Sequence, residues 1–345
     1  NNADAAIGSA STVEGKIDSV EIATILQKEE NDWTTADKQK IEFYEAYLAA
    51  ERGDVVINAD GTMTIAVAKP IVVEASGEVN AVAKSDVLLA SESDVIVVEI
   101  TSGGEVRLKA NGNVIGSIDE EGEATTSQGA ITATERVILE SAQGSITGIK
   151  LVEASNSSTN EEHELIARAA EDITISKAGD LVIDTIYSAN GKITLDVSGA
   201  GGIKNDITAL DTGNGAELNI SGVNIELLGV DNLGEANHYI GLKGRVGEEA
   251  GDGKITADAG GDVYINTYGN INAPEISGKT ISAVNFAVIA DGELKATNGF
   301  VDVVNNGSVI RTSLVSETDA VNFEANAGST TQDAVITAKD AVTYK

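Results

Sequence analysis

The chain has 345 residues, and its formal charge of −32 argues against nucleic acid and anionic membrane surfaces as partners, because like charges repel. It contains no cysteine, which excludes disulfides, thiolate catalysis and cysteine-based metal sites. No apolar run is long enough to cross a bilayer, so the sequence predicts no membrane span.

The N-terminal part of the chain differs from the rest in composition. Residues 1–20 are small and polar without a periodic pattern, which predicts an extended or flexible arm. Residues 21–52 are predicted to form a helical cap or docking segment. Within its first turns the pattern is ambiguous, since residues 20–28 fit either a short helix or a strand.

A helix is predicted from about Thr35 to Arg52. No glycine interrupts this segment, and apolar residues recur at helical spacing, as at Ile41, Tyr44 and Leu48. Gly53 follows the last periodic residue directly and is a typical helix stop. We therefore expect one amphipathic helix before the repetitive part of the chain.

This segment is also the predicted interface of the molecule. It carries four of the twelve aromatic residues, so an apolar face is expected beside the first coil. Two interpretations remain open: the helix caps the end of its own chain, or the arm and helix dock head-to-tail on a second copy. The predicted interface residues are Trp33, Phe43, Tyr44, Tyr47 and Leu48.

Residues 53–345 repeat a short unit of glycine, a polar residue and alternating aliphatic residues, as in Gly261-Asp-Val-Tyr-Ile. Such repetition predicts an all-β fold, a right-handed parallel β-helix or β-solenoid. Aromatic residues are only 3% of the chain, which favours narrow coils over hairpins with aromatic cross-strand pairs. At a coil rise of about 4.8 Å, coils of roughly 20 to 25 residues with three short strands each predict on the order of a dozen coils.

Two stretches depart from this repeat: Glu153 to Ala170 and Val230 to Gly251. Both are predicted to be long loops leaving a corner of the coil. Such loops are either tolerated insertions or binding elements, and the pattern leaves both interpretations open.

Candidate chemistry is sparse in this sequence. His163 and His238 lie far apart and predict no zinc site, and the nucleophile motifs of hydrolases are absent. Calcium is the one candidate cation, because carboxylates are frequent between Glu248 and Asp262, although neither a β-roll nor an EF-hand motif is present. We therefore predict no catalytic residue, no enzyme activity and no cofactor, and leave the question of a metal site open.

The repetitive region resembles the shaft of filamentous-haemagglutinin-type exoproteins and related bacterial surface adhesins. The resemblance rests on units such as Gly179-Asp-Leu-Val-Ile and Gly191-Lys-Ile-Thr-Leu, and it covers about Gly53 to Lys345. It implies a parallel β-helix at the cell surface or outside the cell, with a structural or adhesive role in contact or biofilm. The partners it implies are further copies of the chain or ligands of the cell surface and matrix.

The alternative function is a carbohydrate-binding or polysaccharide-cleaving β-helix protein. A cleaving enzyme of this fold would line a groove with paired carboxylates or clustered cations. The sequence lacks the Asn-Thr-Asp and Arg-Ile-Lys elements of polygalacturonases, and its six arginines are well separated. The structural or adhesive role is therefore the preferred expectation.

Overall fold

The computed structural model describes most of the repetitive region and little of the N-terminal segment. The described residues are 9–15, 34, 36, 40, 55–57, 63–69, 71–73, 77–116, 129–153, 164–205, 218–236, 238–245, 252–268, 271–285, 288, 292–305, 312–325 and 335–344.

Within these residues the chain forms 29 β-strands. The strands are β1 Ser9–Gly15, β2 Val55–Ile57, β3 Met63–Lys69, β4 Ile71–Val73, β5 Gly77–Ala83, β6 Val87–Ser91, β7 Val95–Ser102, β8 Val106–Ala110, β9 Val114–Gly116, β10 Ala130–Thr132, β11 Val137–Ser141, β12 Ile146–Val152, β13 Glu164–Ala169, β14 Ile173–Ala178, β15 Leu181–Ser188, β16 Lys192–Asn205, β17 Ile220–Gly222, β18 Asn224–Leu233, β19 Ile240–Gly244, β20 Ile255–Asp258, β21 Val263–Thr267, β22 Glu275–Gly278, β23 Ile281–Val284, β24 Gly292–Ala296, β25 Val301–Asn305, β26 Thr312–Ser316, β27 Val321–Ala325, β28 Val335–Ala338 and β29 Val342–Tyr344.

Strands β4 to β29 belong to one sheet of 26 strands. Their pairings are parallel, and most strands pair with the strand two positions further along the chain, as β24 does with β26. Successive strands therefore lie on different sides of a coil, and each coil stacks on the next. This confirms the predicted all-β, repeat-rich architecture of a β-solenoid.

The coils are triangular where their pairing is complete. In β7, residues 95–97 pair with β9, and residues 99–101 pair with β10, so one strand bends at Val98 to form two sides of a coil. The third side is β6, which pairs with β8. The predicted three short strands per turn are thus present in this coil.

Coil length varies more widely than the repeat suggests. Val263 aligns with Ile281, which makes a coil of 18 residues, shorter than expected. Val106 aligns with Val137, which makes a coil of 31 residues. A parallel stack tolerates this variation because extra residues leave the coil at a corner while the strands keep their register.

The interior of the solenoid is a stack of aliphatic ladders. In one ladder every member is an isoleucine or valine with at most 3% of its surface exposed. Burial of each such side chain contributes about 1.5–3 kcal/mol, so the ladder is a large part of the driving force for stacking. Its members are Val95, Val114, Ile146, Ile173, Ile193, Ile225 and Ile255.

Some strands are buried on both faces, which the alternating pattern does not predict. Leu88, Ile138 and Ile166 lie between inward-facing neighbours in their strands, yet they are at most 2% exposed. Each stands in a run of three apolar residues, Val-Leu-Leu, Val-Ile-Leu and Leu-Ile-Ala. Such unbroken runs are the sequence signature of strands covered on both sides.

A second, three-stranded sheet precedes the coils. β3 pairs antiparallel with β1, in residues 9–15, and with β2. The predicted arm thus contains a strand, and the segment after Gly53 begins with antiparallel strands, while parallel coils begin at Ile71.

The predicted helix from Thr35 to Arg52 is not confirmed. The structure describes only Thr34, Ala36 and Lys40 in this segment. Ala36 and Lys40 have helical backbone conformation, and the other residues of the segment lie outside the described part of the chain.

Candidate functional site

Polar side chains at the corners of the coils bind the backbone of the next coil. The Asp180 carboxylate accepts a hydrogen bond from the Gly202 N–H at 2.7 Å, and the Asn232 side-chain oxygen accepts one from the Asp262 N–H at 2.9 Å. The same contact joins Asp94 to the Asn113 N–H at 2.7 Å. A corner Asp or Asn therefore satisfies a backbone donor that the sheet leaves unpaired.

At one such corner, three successive coils form an open cleft of about 520 Å³, which we call the corner cleft. Its first coil contributes the end of β16, its second the end of β18, and its third the start of β21. The residues that line it are Asp180, Gly202, Lys204, Asp231, Asn232, Gly234, Glu235, Ala236, Asp262 and Tyr264.

One wall of the corner cleft is a tight turn after β18. Glu235 and His238 form an antiparallel bridge with two backbone hydrogen bonds of 3.0 Å. Gly234 starts the turn with a φ of +73°, and a Cβ atom at this position would lie 2.4 Å from the backbone oxygen of Tyr264. Glycine is required here because the backbone is left-handed and the next coil is in close contact.

Two tyrosines form the aromatic part of this corner. The rings of Tyr239 and Tyr264 are tilted by 52° with their centroids 5.6 Å apart, and the Tyr239 hydroxyl shares a 2.8 Å hydrogen bond with the Ser282 hydroxyl. Burial, followed by the nearby Asp262 carboxylate and Tyr239, raises the pKa of Tyr264 above its ordinary value of 10.0. At neutral pH the Tyr264 hydroxyl is therefore protonated and able to donate a hydrogen bond.

The charges at the corner cleft are mostly negative. Lys204 forms an ion pair with Asp180 at 2.8 Å. Burial is the largest influence on Asp180 and opposes its ionisation, but the Gly202 N–H and the ammonium groups of Lys204 and Lys177 together outweigh it and lower the pKa of Asp180. Once Lys204 has neutralised Asp180, three lining carboxylates remain without a cation among the lining residues: Asp231, Glu235 and Asp262.

Asp262 is held in an unusual environment. Its Oδ1 atom is buried and has no hydrogen-bond partner within the described part of the chain. Its backbone N–H is bonded to Asn232, whose side-chain amide in turn donates to Asp231 at 3.2 Å. The carboxylates of this corner are thus linked through Asn232 and held beside the Tyr264 ring.

The sequence left a calcium site open between Glu248 and Asp262. Among the residues that the structure describes, no group of three or more Asp, Glu or His side chains is placed to hold a metal ion. Residues 246–251 lie outside that part of the chain, while Asp258 is exposed and Asp262 lines the corner cleft.

The predicted interface residues cannot be placed. They all lie outside the described residues. They are Trp33, Phe43, Tyr44, Tyr47 and Leu48.

The two predicted long loops are largely wrong. Residues 164–169 of the first stretch form β13, which is paired on both sides. The second stretch contains the end of β18 and all of β19, where Ile240 and Leu242 are fully buried. The interior positions in these strands alternate as in any other coil, and this was the signal that would have identified them. What remains of the second loop is the turn at Gly234, which forms a wall of the corner cleft.

Sequence reasoning missed the corner cleft itself. It identified Gly179-Asp180 and Gly261-Asp262 only as corners, and it placed Asp231 and Asn232 in a loop. Their meeting depends on which corners stack, and the repeat alone does not specify this because the coils differ in length.

No protein-family model, curated protein sequence or solved structure matches this chain. In the part of the chain that the structure describes, no helix has the length and apolar composition needed to cross a bilayer.

Proposed function

We propose that this protein is a structural and adhesive β-solenoid of the bacterial cell surface or extracellular space, without a catalytic role. The observation that carries the proposal is the continuous stack of parallel coils from β4 to β29 around an aliphatic interior. Such a stack extends the chain in one direction and leaves a long outer surface for contacts.

The acidic composition supports an exposed, soluble surface. The chain carries 55 acidic and 23 basic residues, and a large net charge opposes non-specific association. Exposed ion pairs such as Lys192–Glu226 and Lys254–Glu275 join neighbouring coils at 2.6 and 2.7 Å. The coils are proposed to be right-handed, because parallel strand connections nearly always have that handedness.

Self-assembly is part of the proposal. A helix from Thr35 to Arg52 would either cap the first coil or dock on the last coil of a second copy. The sheet edges at β4 and β28 explain why such contacts are favourable, since each has a pairing partner on one side only among the described strands. Head-to-tail docking does not close on itself and would build a filament.

Negative-stain electron microscopy of the full chain and of a variant lacking residues 1–52 tests this function. We expect rods in both samples, and end-to-end filaments only with the full chain. A variant in which Trp33 and Tyr44 are replaced by serine serves as a finer probe of the docking face. Compact particles in place of rods would contradict the scaffold, and equal assembly of all samples would contradict docking through the N-terminal segment.

A second candidate is a carbohydrate-binding or polysaccharide-cleaving β-helix, and the corner cleft is the observation that favours it. Tyr264 and several carboxylates meet there, as at many sugar-binding sites. Incubation with neutral and acidic polysaccharides followed by measurement of new reducing ends separates binding from cleavage. Product formation that is lost in Asp231→Asn would establish an enzyme and overturn the non-catalytic proposal.

A further inference from the structure

We propose that the corner cleft binds a neutral glycan through about two sugar rings. The proposal deepens the adhesive function and rests on it, since it gives the adhesive surface a ligand class and a position. The residues that carry it are Asp231, Asn232, Asp262, Tyr264 and the Asp180–Lys204 pair.

The shape of the corner cleft fits a short segment of an extended polymer. Its volume of about 520 Å³ lies within the range of small-ligand sites. It spans three coils, and with a rise of about 4.8 Å per coil its floor is about 10 Å long. One coil rise is close to the length of one pyranose ring in a chain, so the repeat of the site and the repeat of such a ligand match. The cleft is open to solvent, which allows a chain to enter laterally without a free end.

The lining offers both kinds of contact that sugars require. The Tyr264 ring provides an apolar face for the C–H face of a pyranose, and its contact with Tyr239 holds that ring in place. The Asp231 and Asp262 carboxylates are hydrogen-bond acceptors, while the Lys204 ammonium and the Tyr264 hydroxyl are donors. A sugar hydroxyl both donates and accepts, so it can use both sets.

The charges select against acidic sugars. Four lining residues are carboxylates and only Lys204 is a cation, and Lys204 already pairs with Asp180. A uronic or sialic acid would bring a further negative charge beside Asp231 and Glu235, at a cost that a neutral ring avoids. The excess of acceptors over donors also favours a ligand rich in hydroxyl groups.

The site is largely formed before any ligand binds. Asn232 is held by its contacts with Asp231 and the Asp262 N–H, and Asp180 is held by the Gly202 N–H and Lys204. A preformed site loses little conformational entropy on binding, so a few weak contacts suffice for measurable affinity. Several chains in one fibre would then increase the avidity.

The test begins with the full chain on a printed array of neutral, amino-sugar and anionic glycans, followed by calorimetric titration of each bound neutral oligosaccharide. The variants are Tyr264→Ala, Tyr264→Phe and Asp231→Asn, with Glu92→Gln as a control on an exposed residue of a distant coil. Circular dichroism melting curves verify that each variant is folded. Asp231→Asn preserves side-chain shape and serves as the probe if Tyr264→Ala does not fold.

We expect at least one neutral glycan to bind, and Tyr264→Ala to weaken binding by about tenfold or more, because base-like stacking on an aromatic ring contributes on the order of 1 kcal/mol or more. Tyr264→Phe should keep most of the affinity, Asp231→Asn should weaken it by at least about threefold, and Glu92→Gln should leave it unchanged. Hexagalacturonate should not bind.

Three results would overturn the proposal: no neutral glycan on the array binds, binding is unchanged in both folded Tyr264→Ala and Asp231→Asn, or hexagalacturonate binds as tightly as the neutral ligand. These results are distinct from failure of the scaffold function. Rods that bind no glycan contradict only the corner cleft proposal, whereas compact particles seen by microscopy contradict the scaffold itself.

Discussion

The sharpest prediction concerns Ser188, which lies at a coil corner and is fully buried. Its hydroxyl donates to the Glu171 carbonyl of the preceding coil at 2.6 Å and accepts from the Gly191 N–H at 2.8 Å. Ser102 and Ser141 make the same pair of contacts at other corners. The corner serine therefore joins two coils and closes the turn that follows it.

Replacement of Ser188 by alanine would remove both hydrogen bonds and leave a buried carbonyl and a buried N–H without these partners. A buried polar group that loses its partner costs about 1–3 kcal/mol, so we expect Ser188→Ala to lower the free energy of unfolding by about 2–4 kcal/mol. The matched control is Ser277→Ala. The Ser277 hydroxyl bonds the exposed Asp258 carboxylate at the surface, and its loss should change stability by less than about 0.5 kcal/mol.

Urea denaturation gives the global change, and hydrogen exchange read by mass spectrometry gives the local one. Both are needed because a stack of coils can open locally without global unfolding. We expect faster exchange in Ser188→Ala for the peptides around Glu171 and Gly191. Equal midpoints and equal exchange in the two serine variants would refute the reasoning that corner serines hold the coils together.

Three further predictions test the interior, the charges and the turn of the solenoid. Leu195 is fully buried and Leu228 is 40% exposed, so Leu195→Ala should cost about 2–5 kcal/mol in urea denaturation, and equal losses in the two variants would contradict the assigned interior. The lowered pKa of Asp180 means that its ionised form stabilises the fold above its ordinary value of 3.8, and that this contribution is lost as the pH falls through the lower folded value. Melting curves should therefore show a smaller loss of stability below pH 3.8 for Asp180→Asn than for the wild type, and parallel profiles would contradict the ion pair. Gly234→Ala should cost at least about 1 kcal/mol, because its backbone is left-handed and lies against the next coil, whereas Gly260→Ala should be nearly neutral; thermal melting distinguishes the two.

Much of the scaffold could be predicted from local pattern. The units at Gly191 and Gly261 combine a corner residue with inward aliphatic residues at every second position, and this is sufficient for short parallel strands in stacked coils. Ile193 and Val263 are indeed fully buried. The same alternation at Ile240 and Leu242 was outweighed by nearby polar residues, and these strands were wrongly assigned to a loop.

The candidate site could not be predicted in the same way. Asp180, Asp231 and Asp262 are ordinary corner residues in the sequence, and nothing near them specifies that they share a cleft. Whether two corners meet depends on the register of the strands before them, such as Ile203 against Leu233 and Leu233 against Val263.

The sequence by itself determined the period of the chain, the aliphatic interior and the acidic exterior, because alternation and glycine corners act within a few residues. Only the tertiary structure decided which corners lie side by side and which strands are covered on both faces. The reason is that parallel pairing brings together residues whose separation is set by the length of each coil, here from 18 to 31 residues in the pairs that define it. The corner cleft is a product of that stacking, with Tyr264 on one coil beside Asn232 on the preceding coil and Lys204 on the coil before that.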